Sequence, residues 1–429
     1  MKDRIMSARG GSASGGKYKF LPKEDAKVNE IIVRENKRQK EELELIASEN
    51  YVSSAVLEAQ GSILTNKYSE GTPGHRYYGG NQIIDEMELL AVARLKKIFW
   101  AAHANVQPLS GSPANAAVYM AFLKPGDKVL GLKLDHGGHL SHGHPVNFSG
   151  MLYDFVQYGV DPKTGRIDMA EVRRIAKREK PKMIVAGYSA YSREIDWKGF
   201  KKIADEVGAF TFADIAHTAG LIAAGLLSNP VPYFDVVSTT THKTLRGPRG
   251  AVIMCQEKFA KQIDRAVFPG MQGGPHNHTT AAKAVAFGEV LRPSFKKYAA
   301  QVIKNAKVMA EEFIKLGYDV ISGGTDNHLF ILNLGARGIG GREAEIVLEQ
   351  IGISVSRSTI PNDPNPPMNP SGIRIGSPAA TTRKMKEKEM RKIVAWTHEA
   401  LENKENKKVL SRIKKEVRGL CLAFPIPTE

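Results

Sequence analysis

The feature that most constrains this 429-residue chain is a train of short β-rich runs separated by helical stretches through its middle. The runs are 128–134 (KVLGLKL), 182–188 (KMIVAGY), 210–213 (FTFA), 236–241 (VVSTTT) and 251–255 (AVIMC), with helical patterns such as 169–178 and 197–207 between them. Strands alternating with helices predict an α/β fold whose mostly parallel sheet is covered on both faces, because parallel neighbours need a crossover and a helix is the usual one. Loops at the carboxyl edge of such a sheet form the crevice that takes ligands. Residues at the ends of these runs are therefore the first candidates for chemistry.

The flanks differ. Glu and Lys interleave over 24–47, which predicts a single helix ahead of the sheet. From about Arg292 the pattern changes to a long helix over 294–316, strands at 319–322 and 329–334, a Pro-rich loop over 361–370 and C-terminal helices. The expected division is a tail and arm helix over 1–50, a large α/β domain over 51–291 and a smaller α+β domain over 292–429.

Composition narrows the partners. With 42% hydrophobic and 25% charged residues the chain has the balance of a soluble globular protein. No apolar run approaches the roughly 18 residues of a membrane helix, so no membrane partner is expected. Cys255 and Cys421 stand far apart, too few for a disulfide framework, and suit a reducing compartment. The first seventeen residues lack the apolar core of a signal peptide, which makes the cytoplasm the expected location. Lys and Arg exceed Asp and Glu by 61 − 45 = 16, a surplus that first suggests nucleic acid. Yet thirteen Lys/Arg face six Glu between Arg383 and Arg418, where Met390, Ile393, Val394 and Trp396 recur at helical spacing. That stretch reads as amphipathic helices with a basic outer face, suited to steering anionic substrates, and no nucleic-acid partner is expected.

Several motifs carry possible chemistry. GSASGGK at 11–17 nearly spells a phosphate-binding P-loop, but Tyr18 replaces the Ser/Thr that holds magnesium and no strand precedes it, so it reads as a tail. At 110–115 (SGSPAN), Ser112 fits a helix N-cap and Pro113 the first helical residue; the free amides suit a phosphate, although an ordinary capped helix has the same look. His136, His139, His142 and His144 crowd nine residues, yet no cysteine or carboxylate completes a ligand spacing. No metal is expected there, and an imidazole stacked on a planar cofactor is the alternative. Asp214 closes one run and needs a cationic partner if buried, since an unpaired buried charge is very costly. Lys243 follows another run in a loop rich in hydroxyls and Arg, where its amine can become nucleophilic and condense with an aldehyde. A phosphate cup, a stacking ring, an acid for a ring nitrogen and a Schiff-base lysine in one domain are together the requirements of pyridoxal 5′-phosphate.

With these residues in place, the chain closely resembles the serine hydroxymethyltransferase family, of the aspartate-aminotransferase-like fold type of pyridoxal-phosphate enzymes. The resemblance runs from about residue 24 to the C-terminus, through LIASENY (45–51), KYSEGTPGHRYYGG (67–80), DHGGHLSHG (135–143), DIAHTAGLIAAG (214–225), STTTHKTLRGPRG (238–250), FPGMQGGP (268–275), SGGTDNHL (322–329) and SGIRIGSPA (371–379). It implies one-carbon chemistry: serine and tetrahydrofolate to glycine and 5,10-methylenetetrahydrofolate, reversibly. A folate-independent aldolase or aminotransferase of the same fold is the alternative. The resemblance implies that Lys243 holds the cofactor covalently, that Asp214 partners its ring nitrogen and that His139 stacks on the ring. Gly111, Ser112 and His242 match phosphate contacts, Ser189 and His217 the surroundings of the phenolic oxygen, and Asn115 a position near the cofactor. Arg374 matches the grip on the substrate carboxylate, with Ser48 and Tyr78 nearby. Glu70 is the implied acid/base, and Glu70, Tyr77, Leu134, Gly138, Leu140 and Asn362 match folate positions. The family completes each site across a homodimer, through Tyr68, Glu70 and the Gly273–Gly274 backbone of the neighbouring subunit; pairing into tetramers is left open.

Overall fold

The computed structural model describes residues 18–428, so the P-loop-like 11–17 lies outside the described residues. Seven strands form the large sheet, in the order His103–Asn105, Ala251–Cys255, Val236–Thr240, Phe210–Asp214, Met183–Gly187, Lys128–Leu132, Asp154–Tyr158. The last five are mutually parallel, whereas Ala251–Cys255 runs antiparallel to both neighbours. All five β-rich runs are strands. Their apolar character is continuous because both faces are covered: Val236, Phe212 and Val185 enter one core cluster while their neighbours Val237, Ala213 and Ala186 enter another. Two strands of this sheet escaped the sequence reading, His103–Asn105 and the partly exposed edge strand Asp154–Tyr158, since neither is an apolar run.

A second, antiparallel sheet is ordered Asp319–Val320, Leu329–Asn333, Gly372–Gly376, Ser356–Ser358. Its core gathers Phe330, Leu332, Ile373 and Ile375 with residues of the C-terminal helices, among them Met390, Ile393, Ile413 and Val417. Pro293–Lys315 is the expected long helix, with proline at its start, where a missing N–H costs nothing.

The helix expected over 24–47 is shorter. Asp25 caps it by accepting from the Val28 amide, it runs Ala26–Glu41, and Glu42 is already extended. Leu43–Glu44 then pairs in parallel with Ile353–Ser354, and Leu43 and Leu45 are fully buried in the core of the second sheet. The charge pattern continued past Glu41, but the gain from burying two leucines decided the backbone. The helix itself buries none of its residues and exposes Val28, Ile31 and Val33.

Candidate active site

The carboxyl ends of the parallel strands converge on one place. Asp214 ends its strand 8% exposed, and its carboxylate is bracketed. Oδ2 accepts from Asn115 Nδ2 at 2.9 Å and lies 3.2 Å from His142 Nε2, while Oδ1 accepts from the Ala216 amide at 3.0 Å. Burial would raise this acid, but the bond to His142 and the fields of His142 and His139 hold it well below the usual carboxylate range. It is an anion at neutral pH. Asn115 is fixed in turn, donating to Ser141 Oγ at 2.9 Å and accepting from Ser238 Oγ at 2.7 Å.

Lys243 sits in the loop after Val236–Thr240, nearly buried. Burial pushes its ammonium down to about 8; Asp214 opposes this and Arg374 and Arg249 add to it. The loop is held by Asn50, whose Nδ2 donates to the Lys243 carbonyl at 2.9 Å and to the Tyr298 hydroxyl at 2.8 Å. Around the lysine stand neutral imidazoles. Burial, then the neighbouring His142, keep His139 down at about 4; its Nδ1 is 2.7 Å from Ser141 Oγ. His242 is pushed down to about 3 by burial and by Arg249. His217, fully buried, lies well below its ordinary value because of burial and the charge of Lys243, and its Nδ1 is 3.2 Å from His328 Nε2.

Gly111–Phe122 begins beside this group. Its N-cap is Ser110, extended at φ −161°, rather than Ser112; the first turn starts two residues earlier than a proline at the first position would require. No side chain caps it, which leaves the first amides available to an anion. A Cβ at Gly111 would lie 2.9 Å from Thr240 Cγ2, so only glycine lets the helix start come this close to the Lys243 strand.

Arg374 enters from the second sheet. Its Nη1 donates to the Ser189 carbonyl at 2.7 Å and its Nε to Ser356 Oγ at 3.2 Å. Burial lowers it to about 10, and among the described residues no carboxylate pairs with it. Such a guanidinium suits an incoming carboxylate. Ser48, half-buried, follows Ala47, which packs directly on Gly376 of the Arg374 strand.

A second group forms elsewhere in the same chain. Glu70 Oε1 would lie 3.1 Å from a Cβ at Gly273, and Tyr68 Cε1 2.8 Å from one at Gly274, so these four residues are neighbours. Tyr68 and Tyr78 meet edge to face at 5.6 Å, and Tyr77 meets Phe268 at 5.4 Å. Tyr68, Tyr77 and Tyr78 are exposed. Among the described residues no hydrogen bond, ion pair or ring contact joins this group to Lys243, Asp214, His139 or Arg374. The folate positions are divided likewise: Glu70 and Tyr77 are here, whereas Leu134, Gly138 and Leu140 share the His139 loop, and Asn362, at φ +55°, lies on the Pro-rich loop.

The site fits pyridoxal 5′-phosphate on its own terms. His217 Nε2 and His242 Nδ1 are buried without a partner, the cup amides are uncapped, and a buried anion and a depressed ammonium end adjacent strands. The sequence reading missed His142 as the neighbour of Asp214 and His328 as that of His217, although both lay inside recognised motifs. Their spacing along the chain, 72 and 111 residues from those partners, carried no signal.

Sheet, helices and site together define a pyridoxal-phosphate transferase of the aminotransferase-like fold type. A family model described as serine hydroxymethyltransferase matches residues 21–397. The chain belongs to that family, and its activity is the reversible transfer of the serine hydroxymethyl group to tetrahydrofolate, leaving glycine.

Proposed function

We propose that Lys243 is the lysine that holds the cofactor covalently and that the residues around it have the roles their geometry suits. The observation that carries this reading is the pairing, at the ends of neighbouring parallel strands, of an ammonium lowered to about 8 with a carboxylate kept ionised. When bound, the cofactor supplies an electron sink for the bond that breaks at the amino acid's α-carbon. Asp214 holds a proton on the pyridine nitrogen, and Asn115 and His142 keep that carboxylate aimed and charged. His139 presents a neutral ring face, and the amides of 111–112 receive the phosphate. Arg374 grips the substrate carboxylate, with Ser48 beside it.

The Tyr68–Glu70–Gly273–Gly274 group is assigned to the site of a second copy, as the family's oligomeric habit suggests. Glu70 manages the proton on the hydroxymethyl oxygen there, and Tyr77 meets the folate. The exposed apolar face of Ala26–Glu41 fits an arm that docks on that copy. On this reading the chain divides into units over 51–291 and 292–429, with the crevice between the two sheets. Two free, buried cysteines suit a cytoplasmic protein, and no described helix is long and apolar enough to cross a membrane.

The test is the absorbance spectrum of purified protein before and after glycine and tetrahydrofolate. A visible cofactor band that shifts when both are added is expected. Protein that stays colourless on reconstitution would overturn the assignment.

A further inference from the structure

Lys283 is a buried cation that the reaction does not use. It lies on Asn277–Val290, 1% exposed, and its Nζ donates to three backbone carbonyls: Val106 at 2.7 Å, Ala251 at 2.9 Å and Pro108 at 3.0 Å. Among the described residues no carboxylate lies within ion-pair distance of it. Three acceptors at these distances need three donors, and only the ammonium form has three N–H groups. Burial opposes that charge, pushing it down to about 7, and the field of Glu88 supports it. A charged side chain kept in so dry a place without a counter-ion is very costly unless its bonds offset the loss of water.

The three carbonyls are not scattered. Val106 and Pro108 lie on the segment that leads into Ser110 and the uncapped start of Gly111–Phe122. Ala251 follows directly on the loop that carries Lys243, and its amide donates to the Pro108 carbonyl at 3.2 Å. Gly250 makes room for the lysine stem, since a Cβ there would lie 2.5 Å from Lys283 Cε. Gln107, between the two accepting carbonyls of the first segment, reaches the other way: its Nε2 donates to the Gly71 carbonyl, beside Glu70, at 2.9 Å, and its own carbonyl accepts from Gln272, beside Gly273, at 3.0 Å.

We propose that Lys283 acts as a built-in monovalent cation, turning the carbonyls of 106, 108 and 251 inward so that the amides of the phosphate cup face outward at a fixed distance from the Lys243 loop. It is a positioning residue, because it touches neither cofactor nor substrate. The proposal rests on the reading of 110–112 as a phosphate cup. Its signature is a loss confined to the phosphate-bearing form of the cofactor.

The experiment strips and retitrates full-length protein with pyridoxal 5′-phosphate and with pyridoxal. Lys283→Met, which keeps the stem and removes the charge, is expected to weaken the phosphate form about tenfold or more and pyridoxal by less than about twofold. Ammonium or methylammonium ions are expected to restore part of that affinity in Lys283→Ala. Gly250→Ala, which displaces the stem without removing the charge, is expected to show the same selective loss even if the Lys283 variants fail to fold. Equal losses for both ligands, unchanged affinities, or no rescue by either cation would overturn the proposal. Wild-type protein that binds both ligands equally would instead remove the cup itself, and the proposal with it.

Discussion

Arg374 donates to the Ser189 carbonyl at 2.7 Å, a bond that helps tie the second sheet to the loop after Met183–Gly187 of the first. Its remaining N–H groups lack an anion among the described residues, in a place where burial already depresses the guanidinium to about 10. An amino-acid carboxylate would restore that balance. Arg374→Lys should therefore raise the serine KM about 30-fold or more while leaving cofactor affinity near wild type, because a fork is exchanged for a point charge at a buried pair. Steady-state kinetics alongside cofactor titration checks the split.

Burial lowers the Lys243 amine to about 8. Below about 8 it is mostly ammonium and above it mostly amine, so stripped protein should capture the cofactor faster as pH rises to about 8 and level off beyond. Stopped-flow absorbance between pH 6 and 10 measures this. Lys243→Ala should abolish the visible band of the covalently held cofactor.

If Glu70 serves the site of a second copy, complementation follows. Glu70→Gln and Lys243→Ala should each suppress folate-dependent serine turnover by about 100-fold or more. Mixed after unfolding and refolding together, they should recover up to about a quarter of wild-type activity, since half the dimers are hybrids and each hybrid holds one intact site. Recovery of none would place Glu70 and Lys243 in the same site of one chain.

Glu44 carries a pH-dependent stability. It is buried, and burial followed by the charge of Glu49 raises it from 4.5 to about 8. Between those values the folded chain binds more proton than the unfolded one, so this contribution is present at low pH and lost as pH rises through about 8. Glu44→Gln should melt like the parent near pH 5 and roughly a few degrees higher near pH 9.

Arg383 closes two helices at once. Fully buried, it donates to the carbonyls of Gln39, Lys40 and Glu42 at the end of Ala26–Glu41, and to those of Cys421 and Phe424 at the end of Lys407–Ala423. A positive charge at two helix C-termini is favourable, and its removal strands five acceptors. Arg383→Met should cost about 3–5 kcal/mol in chemical denaturation, with little change in the spectrum of the surviving holoenzyme.

Much of the candidate site was legible because its residues sit at strand ends. Apolar runs of four to seven residues marked the central strands, and Asp214 and Lys243 stood where those runs stopped. The N-terminal helix was overextended because helical charge spacing ran on through residues that tertiary burial claimed for a strand: Leu43 pairs with Ile353, 310 positions away. Ser112 was taken for the cap because Pro113 suits a first helical position, and only the backbone at Ser110 identified the true start.

The sequence by itself determined the family, the alternation of strands and helices, and which residue types bear the chemistry. These are local properties: period, turn residues and motif order do not depend on what lies across the fold. Tertiary structure alone decided that one chain builds two separate groups of site residues, that His142 and Asn115 hold Asp214, that Arg374 reaches Ser189 and that Lys283 pins three carbonyls. Such pairings join positions tens to hundreds of residues apart, and a buried polar atom takes whichever partner packing brings within 3 Å or so, a choice that no pattern along the chain encodes.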